Sequence, residues 1–304
     1  MFTSELWNNP GGSSQLPTQK AIFGYGYNGE ALSVTNLVNS SGVVATDVTG
    51  VGTARYGLSA AGYGTDKGIF AYGHTGNVSN LVSNSGVVAA NVTTAGSARQ
   101  QAATGTYGGD KAIFAFGNNQ AGSATISLSN LVSNSGVIGS DVTGVGTARR
   151  GAGGAPYGGN SDKLAIAFGY AGSNVSIKNL VSNVGVVGSD VTGVGTARNQ
   201  LGSAGYGGDK GIYAYGDGAS SSNISNLLSN TGVVSSDVTG VGTARYQLGG
   251  ASYGGDKAIF AYGYDGGRAS MSNLVSSSGV VASDVTGVGT GRNGLSACEF
   301  STTA

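Results

Sequence analysis

Thirty of the 304 residues carry charge at neutral pH, fifteen Lys or Arg against fifteen Asp or Glu, with a single His and a single Cys beside them. Most of these charges recur. Lys20, Lys67, Lys111, Lys163, Lys210 and Lys257 form one series, and Arg55, Arg99, Arg149, Arg198, Arg245 and Arg292 form another. Asp66, Asp110, Asp162, Asp209 and Asp256 precede a Lys, while Asp47, Asp141, Asp190, Asp237 and Asp284 open an Asp-Val-Thr-Gly run, with Asn91 in the remaining slot. Such a set could ring an axis with ligand charges. It could equally serve the scaffold, with carboxylates accepting turn N–H groups or pairing with guanidinium ions. A feature present in every unit reads as architecture. Asn91 supports this, because an amide accepts a turn hydrogen bond without charge.

The remaining chemistry is thin. Tyr63, Tyr107, Tyr157, Tyr206, Tyr253 and Phe300 form an aromatic series that could stack sugars, but a slot that tolerates Phe fits packing better. Cys298 fills a slot held elsewhere by Ala or Gly, which points to a small buried site rather than a nucleophile. His74 has no second His or patterned Cys to complete a metal site. Gly24-x-Gly26-x-x-Gly29 imitates a dinucleotide loop but opens no helix. The non-repeated acids Glu5, Glu30, Asp217, Asp265 and Glu299 come from scattered units, so no converging carboxylate pair is expected. The expectation is a non-enzymatic chain with no cofactor and no metal. Zero net charge removes any pull toward nucleic acid, and no apolar run is long enough for membrane insertion. Met1 to Pro10 lacks a basic n-region and an apolar core, so no secretory leader is expected.

What must position these residues is a repeat. A Lys-x-Ile-Phe-Ala-Tyr-Gly run, an Asn-Leu-Val-Ser-Asn-Ser-Gly-Val-Val run and a Thr-Ala-Arg ending return with a mean period of about 47 residues. Asn36, Asn80, Asn130, Asn179, Asn226 and Asn273 each precede their Arg by 19 residues. Length varies almost only between the Tyr/Phe-Gly and the Asn, so one loop varies on a fixed frame. Fifty-eight Gly work against long helices, and three Pro without a three-residue period exclude collagen. Alternation places Ala21, Phe23 and Tyr25 on one face of a strand, with Ile22 and Gly24 on the other. Asn84-Ser85-Gly86 reads as a hairpin turn. Four strands per unit follow: Tyr56 to Tyr63, the Lys-x-Ile-Phe run, the Asn-Leu-Val run, and the segment carrying Val-Val-x-x-Asp-Val.

Six such units predict an all-β fold, a six-bladed β-propeller over residues 19–300, with residues 1–18 as an N-terminal arm and 301–304 as a tail. The first unit lacks the strand that follows Arg, and Gly294-Leu295-Ser296-Ala297 repeats Gly57-Leu58-Ser59-Ala60. The C-terminal strand is therefore expected to complete the first blade and close the ring.

An Arg opening the first strand, an Ile-Phe-x-Tyr-Gly second strand and a hairpin before the fourth resemble the kelch repeat. That resemblance implies kelch-like four-stranded blades. It departs where kelch has a second Gly (here Tyr27, His74, Asn118, Tyr170, Asp217, Tyr264) and where kelch has Trp (here Val43, Val87, Val137, Val186, Val233, Val280). The Gly/Ser/Asn-rich units look more like kelch-like repeats of tailed-phage virion proteins. This resemblance implies a bacteriophage structural protein, a tail fibre, knob or decoration protein, with other virion subunits and a host-surface glycan or protein as partners in a homo- or hetero-oligomeric assembly. A subunit of an extracellular or cell-surface filament, or a glycan-binding propeller, is the alternative. Partner contact is expected from residues outside the repeat: Trp7 in the arm, His74, Asn118 and Gln120 in the variable loops, and Arg268 in a sibling loop.

Overall fold

A computed structural model describes residues 19–301. Trp7 and the rest of 1–18 lie outside the described residues. Within them the chain is all-β, a set of small antiparallel sheets in a β-propeller-like arrangement, with one short 3-10 turn at Gly159–Ser161. Each repeat contributes consecutive strands, for example Ser59–Tyr63, Lys67–Ala71 and Val78–Val82, joined as neighbours. The first sheet is assembled differently. Gln19–Tyr27 pairs with Ala31–Val38 on one side and with the C-terminal strand Ser296–Ser301 on the other, from Gln19 opposite Ser301 to Gly24 opposite Ser296. The last strand runs on through Ser301, whose N–H reaches the Asp66 carbonyl at 2.9 Å.

The alternation on the second strand breaks at one point. Tyr25 does not share a face with Ala21 and Phe23. It packs with Ile22, Leu58 and Phe70, whereas Phe23 packs with Ile259 and Tyr262. The cause is a bulge between Gly24 and Gly26 that holds Tyr25 at φ 64°. A left-handed Tyr is strained. The strain is held because the rotated ring meets Phe70 of the next sheet edge-on at 5.2 Å and donates its hydroxyl to the Val51 carbonyl at 3.0 Å. Tyr72, Phe116, Phe168, Tyr215 and Tyr262 repeat the conformation. Sheets interlock through size: the Phe70 ring fills the space over Gly24, where a Cβ would lie 2.7 Å from it.

The first strand of each unit is also shorter than expected, Ser59–Tyr63 rather than Tyr56 to Tyr63. Gly57 at φ 64° turns the chain before the ladder can begin. The fourth segment is a continuous strand only at Val92–Thr93. Elsewhere it touches the sheet at isolated bridges such as Val38–Val44 and Thr35–Val48. Between these bridges a side chain replaces the ladder: Asn36 Nδ2 donates to the Ala45 carbonyl and to Asp47 Oδ1, each at 2.9 Å.

The repeated Asp latches neighbouring units. Asp47 accepts from the N–H and Oγ1 of Thr290, at 3.0 Å and 2.6 Å. Asp141, Asp190, Asp237 and Asp284 do the same with Ser97, Thr147, Thr196 and Thr243. Asn91 keeps both contacts to Thr53 by accepting with Oδ1 and donating with Nδ2. Burial pushes the Asp237 carboxyl up, but the donors Thr196 and Asn226 outweigh it and hold it below the usual carboxylate range. The stabilisation from the ionised latch is therefore fully present above that range and is lost as pH falls through the carboxyl's own, lower pKa. Asp237→Asn is expected to leave denaturant stability within about 0.5 kcal/mol, while Asp237→Ala loses about 1–2 kcal/mol from three unmet donors. Equal losses in the two variants would show that charge, not acceptance, carries the latch.

Candidate functional site

The aromatic and charged series of the repeat are consumed by the frame. Tyr63, Tyr107, Tyr157, Tyr206, Tyr253 and Phe300 are buried, each packed over a hairpin Gly of a neighbouring sheet (Tyr253 on Gly42, Phe300 on Gly86). The repeated Arg side chains are fully buried. Arg292 donates to the Tyr25 carbonyl at 2.8 Å and to Asn36 Oδ1 at 2.7 Å, with its guanidinium 4.0 Å above the Tyr262 ring. Lys67, Lys111, Lys210 and Lys257 pair with the preceding Asp at 2.5–2.9 Å, at partly exposed positions where ion pairs contribute little. Cys298 is buried, and loss of solvent raises its thiol well above the usual value. No His, Cys, Asp and Glu cluster able to hold a metal occurs among the described residues.

What remains is a cavity of about 460 Å³ walled by the first strands. Alternate residues of those strands face it, among them Ala60, Thr104, Gly154, Ser203, Gly250 and Ala297. Small side chains keep it open. At its throat, backbone groups two residues past each repeated Arg join in succession. Gln101 N donates to Gly57 O, Gly151 N to Gln101 O, and Gln200 N to Gly151 O. Gln247 N then donates to Gln200 O, Gly294 N to Gln247 O, and Gly57 N to Gly294 O, all within 2.7–3.0 Å. All six residues have φ between 53° and 64°. The left-handed turn aims one N–H and one C=O along the throat, at Gln positions as well as Gly.

Among the described residues Glu299 is the one carboxylate in the cavity wall. Gly62 has no side chain, and Glu299 reaches across it to Thr106 Oγ1 at 3.1 Å; the same hydroxyl lies 3.2 Å from the Gly62 carbonyl. Enclosure raises the Glu299 carboxyl. A protonated Glu299 donates to Thr106, which then donates to Gly62, whereas an ionised one competes with that carbonyl for a single proton.

The variable loops gather at the throat. Of the predicted partner residues, His74 and Arg268 contact Tyr56 and Tyr27 of the cavity wall and Gln120 reaches His74, while none of these three lines the cavity itself. Arg268 is exposed and sits 5.0 Å above the Tyr27 ring. Tyr27 meets Tyr56 edge-on at 5.2 Å, and Tyr56 stacks on His74 at 4.0 Å and 13°. His74 Nδ1 accepts from the Tyr56 N–H at 3.2 Å, which makes the ring the neutral Nε2–H form, and burial lowers its pKa. Gln120 donates to the His74 carbonyl and so closes the longest loop onto this wall. Asn118 differs from the others: it is buried, pairs with Gln100 in a two-residue ribbon, and positions the loop rather than facing solvent. Trp7 lies outside the described residues.

Tyr56, Arg150, Asn199, Tyr246 and Asn293 were not among the expected site residues. Each directly follows a repeated Arg and bonds across to the residue after the Tyr/Phe-Gly: Arg150 to Tyr170, Asn199 to Asp217, Tyr246 to Tyr264, Asn293 to Tyr27. The signal was present in the sequence. Aligned by unit, the residue after Arg reads Tyr, Gln, Arg, Asn, Tyr, Asn between a constant Arg and a residue that is either Gly or Gln.

No protein-family model and no curated protein matches the chain. Among solved structures, the one titled "Structure of YjhT" is similar with a TM-score of 0.53 at 11% identity, over 69% of this chain and 72% of that chain. Likeness at this identity concerns the fold alone, and it accords with the β-propeller-like architecture.

Proposed function

We propose that the described residues close into a six-bladed β-propeller of the kelch type, its ring completed by the C-terminal strand. This disc is a non-enzymatic component of a tailed-phage particle, carried as fibre, knob or decoration protein. Its partners are other virion subunits and a host surface.

One observation carries this reading. The repeated polar chemistry is spent inside the frame, and variation collects at one rim, as in a rigid mount whose loops are free to diverge. Closure is supported by the throat hydrogen bonds, which return to Gly57, and by the Thr290–Asp47 latch, which copies the internal ones. The non-enzymatic reading is supported by Glu299, which among the described residues has no second carboxylate beside it in the cavity of the kind glycoside hydrolysis needs. The virion reading rests on the style of the repeat. Antibodies raised against the purified protein should label intact particles at a discrete site in electron micrographs. Particles that carry no label would end the virion reading, and a blade tally other than six in a density map would end the ring.

A further inference from the structure

We infer that the rim of the cavity binds a neutral carbohydrate, one sugar ring lying on the arc formed by Tyr27, Tyr56 and His74. The inference rests on reading the variable face as a docking surface and names the chemistry it docks.

The arc supplies what a pyranose face requires. All three residues are half-buried, and since Tyr56 and His74 spend one face on each other, the sugar takes the outer face of that stack, beside Tyr27. Arg268 flanks them with no ion pair among the described residues, leaving its N–H groups for ring or exocyclic oxygens. Charge selects against ions. Arg150 and Arg268 share these loops with Glu30, Asp217 and Asp265, so no field of one sign extends over the mouth.

Hydrogen bonding points the same way. Gln101 Oε1, Thr104 Oγ1 and Asn293 Oδ1 are buried without a partner, and all three residues line the cavity. Unmet acceptors are costly, and a side-chain rotation that turns these oxygens into the cavity lets a ligand rich in O–H donors answer them. Backbone is largely spent here: the N–H groups of Tyr27 and His74 already donate to Asn293 and Tyr56 carbonyls. A peptide adding as a strand would find few free groups. A cavity of about 460 Å³ admits the end of an oligosaccharide.

The test is an array of neutral and acidic glycans probed with the full chain, then calorimetric titration of the strongest neutral hit. Tyr56→Ala and Arg268→Ala should each weaken Kd about ten-fold or more, with a cooperative melting transition retained in both. Tyr56→Phe, which keeps the ring, should retain most of the affinity, and Lys163→Ala at the opposite end all of it. A blank array, a preference for acidic glycans, or a Kd indifferent to Tyr56→Ala and Arg268→Ala overturns the proposal. A blank array with labelled virions removes the sugar and leaves the particle reading standing. A neutral hit with unlabelled virions does the reverse.

Discussion

Deleting residues 293–304 should abolish cooperative thermal unfolding at any temperature where the full chain is folded. The deletion removes the strand Ser296–Ser301 and with it every ladder bond on one side of Gln19–Gly24. Leu295 and Phe300 are lost from two different cores, one shared with Tyr262 and Ile259, the other with Ile22 and Phe70. Truncation of a buried Leu costs roughly 2–5 kcal/mol and of a buried Phe roughly 3–5 kcal/mol. Those two side chains alone approach the roughly 5–15 kcal/mol net stability of an ordinary domain. The exposed edge left behind invites aggregation. Circular dichroism against temperature reads the outcome directly. A synthetic peptide of residues 293–304 added to the truncated chain should restore a transition in a concentration-dependent way, since binding only the folded form stabilises it by mass action. A truncated chain that melts like the parent would show that the C-terminal strand is an accessory to the first sheet.

This end-to-end pairing was legible in the sequence because it rests on identity: Gly-Leu-Ser-Ala occurs twice, and the first unit lacks a strand that the last supplies. The face swap of Tyr25 was not legible. Period-two alternation assumes an unbroken strand, and a left-handed Tyr is the last residue type that backbone sterics would nominate for a bulge. The reason lies in the partners, Phe70 from the next unit and the guanidinium of Arg55, which no local pattern contains. The fourth strand failed for a related reason. Val-Val-x-x-Asp-Val alternates well, but the Asn36 amide takes over the carbonyls that a ladder would have used. At the rim, reading variable loop length nominates His74, Gln120 and Arg268 as candidates and passes over Tyr56 and Tyr246, which vary in identity at constant spacing. Loop length marks where the chain is tolerated, whereas residue identity at a fixed position marks what the surface presents.

Replacing Arg149 with Leu should cost roughly 3–5 kcal/mol in denaturant unfolding, while Arg150→Ala, one residue away, should change stability by less than about 0.5 kcal/mol. The two guanidinium groups share chemistry and differ in surroundings. Arg149 is fully buried. It donates to the Phe168 carbonyl at 2.9 Å, the Thr147 carbonyl at 3.1 Å, the Ile166 carbonyl at 3.2 Å and Asn179 Oδ1 at 2.6 Å, and its plane lies 4.1 Å above the Phe116 ring. Burial lowers its pKa to about 10, which still leaves it charged at neutral pH. No carboxylate touches it. Asp190 stands one step further on, bonded to Asn179, so the charge is held by dipoles and an aromatic face. Leu removes the charge but strands four acceptors and leaves a gap beneath Phe116. Arg149→Lys should lose nearly as much, because one ammonium with three N–H groups cannot meet four acceptors set around a planar fork. Arg150 lies over Tyr170 at 4.5 Å on the half-exposed rim, where water replaces any contact it gives up. The discriminating variant is Arg149→Leu with Asn179→Leu, which removes the guanidinium and its amide acceptor together. Partial recovery relative to Arg149→Leu assigns the penalty to stranded acceptors, whereas a further loss assigns it to the Asn179–Asp190 latch that the same amide supports.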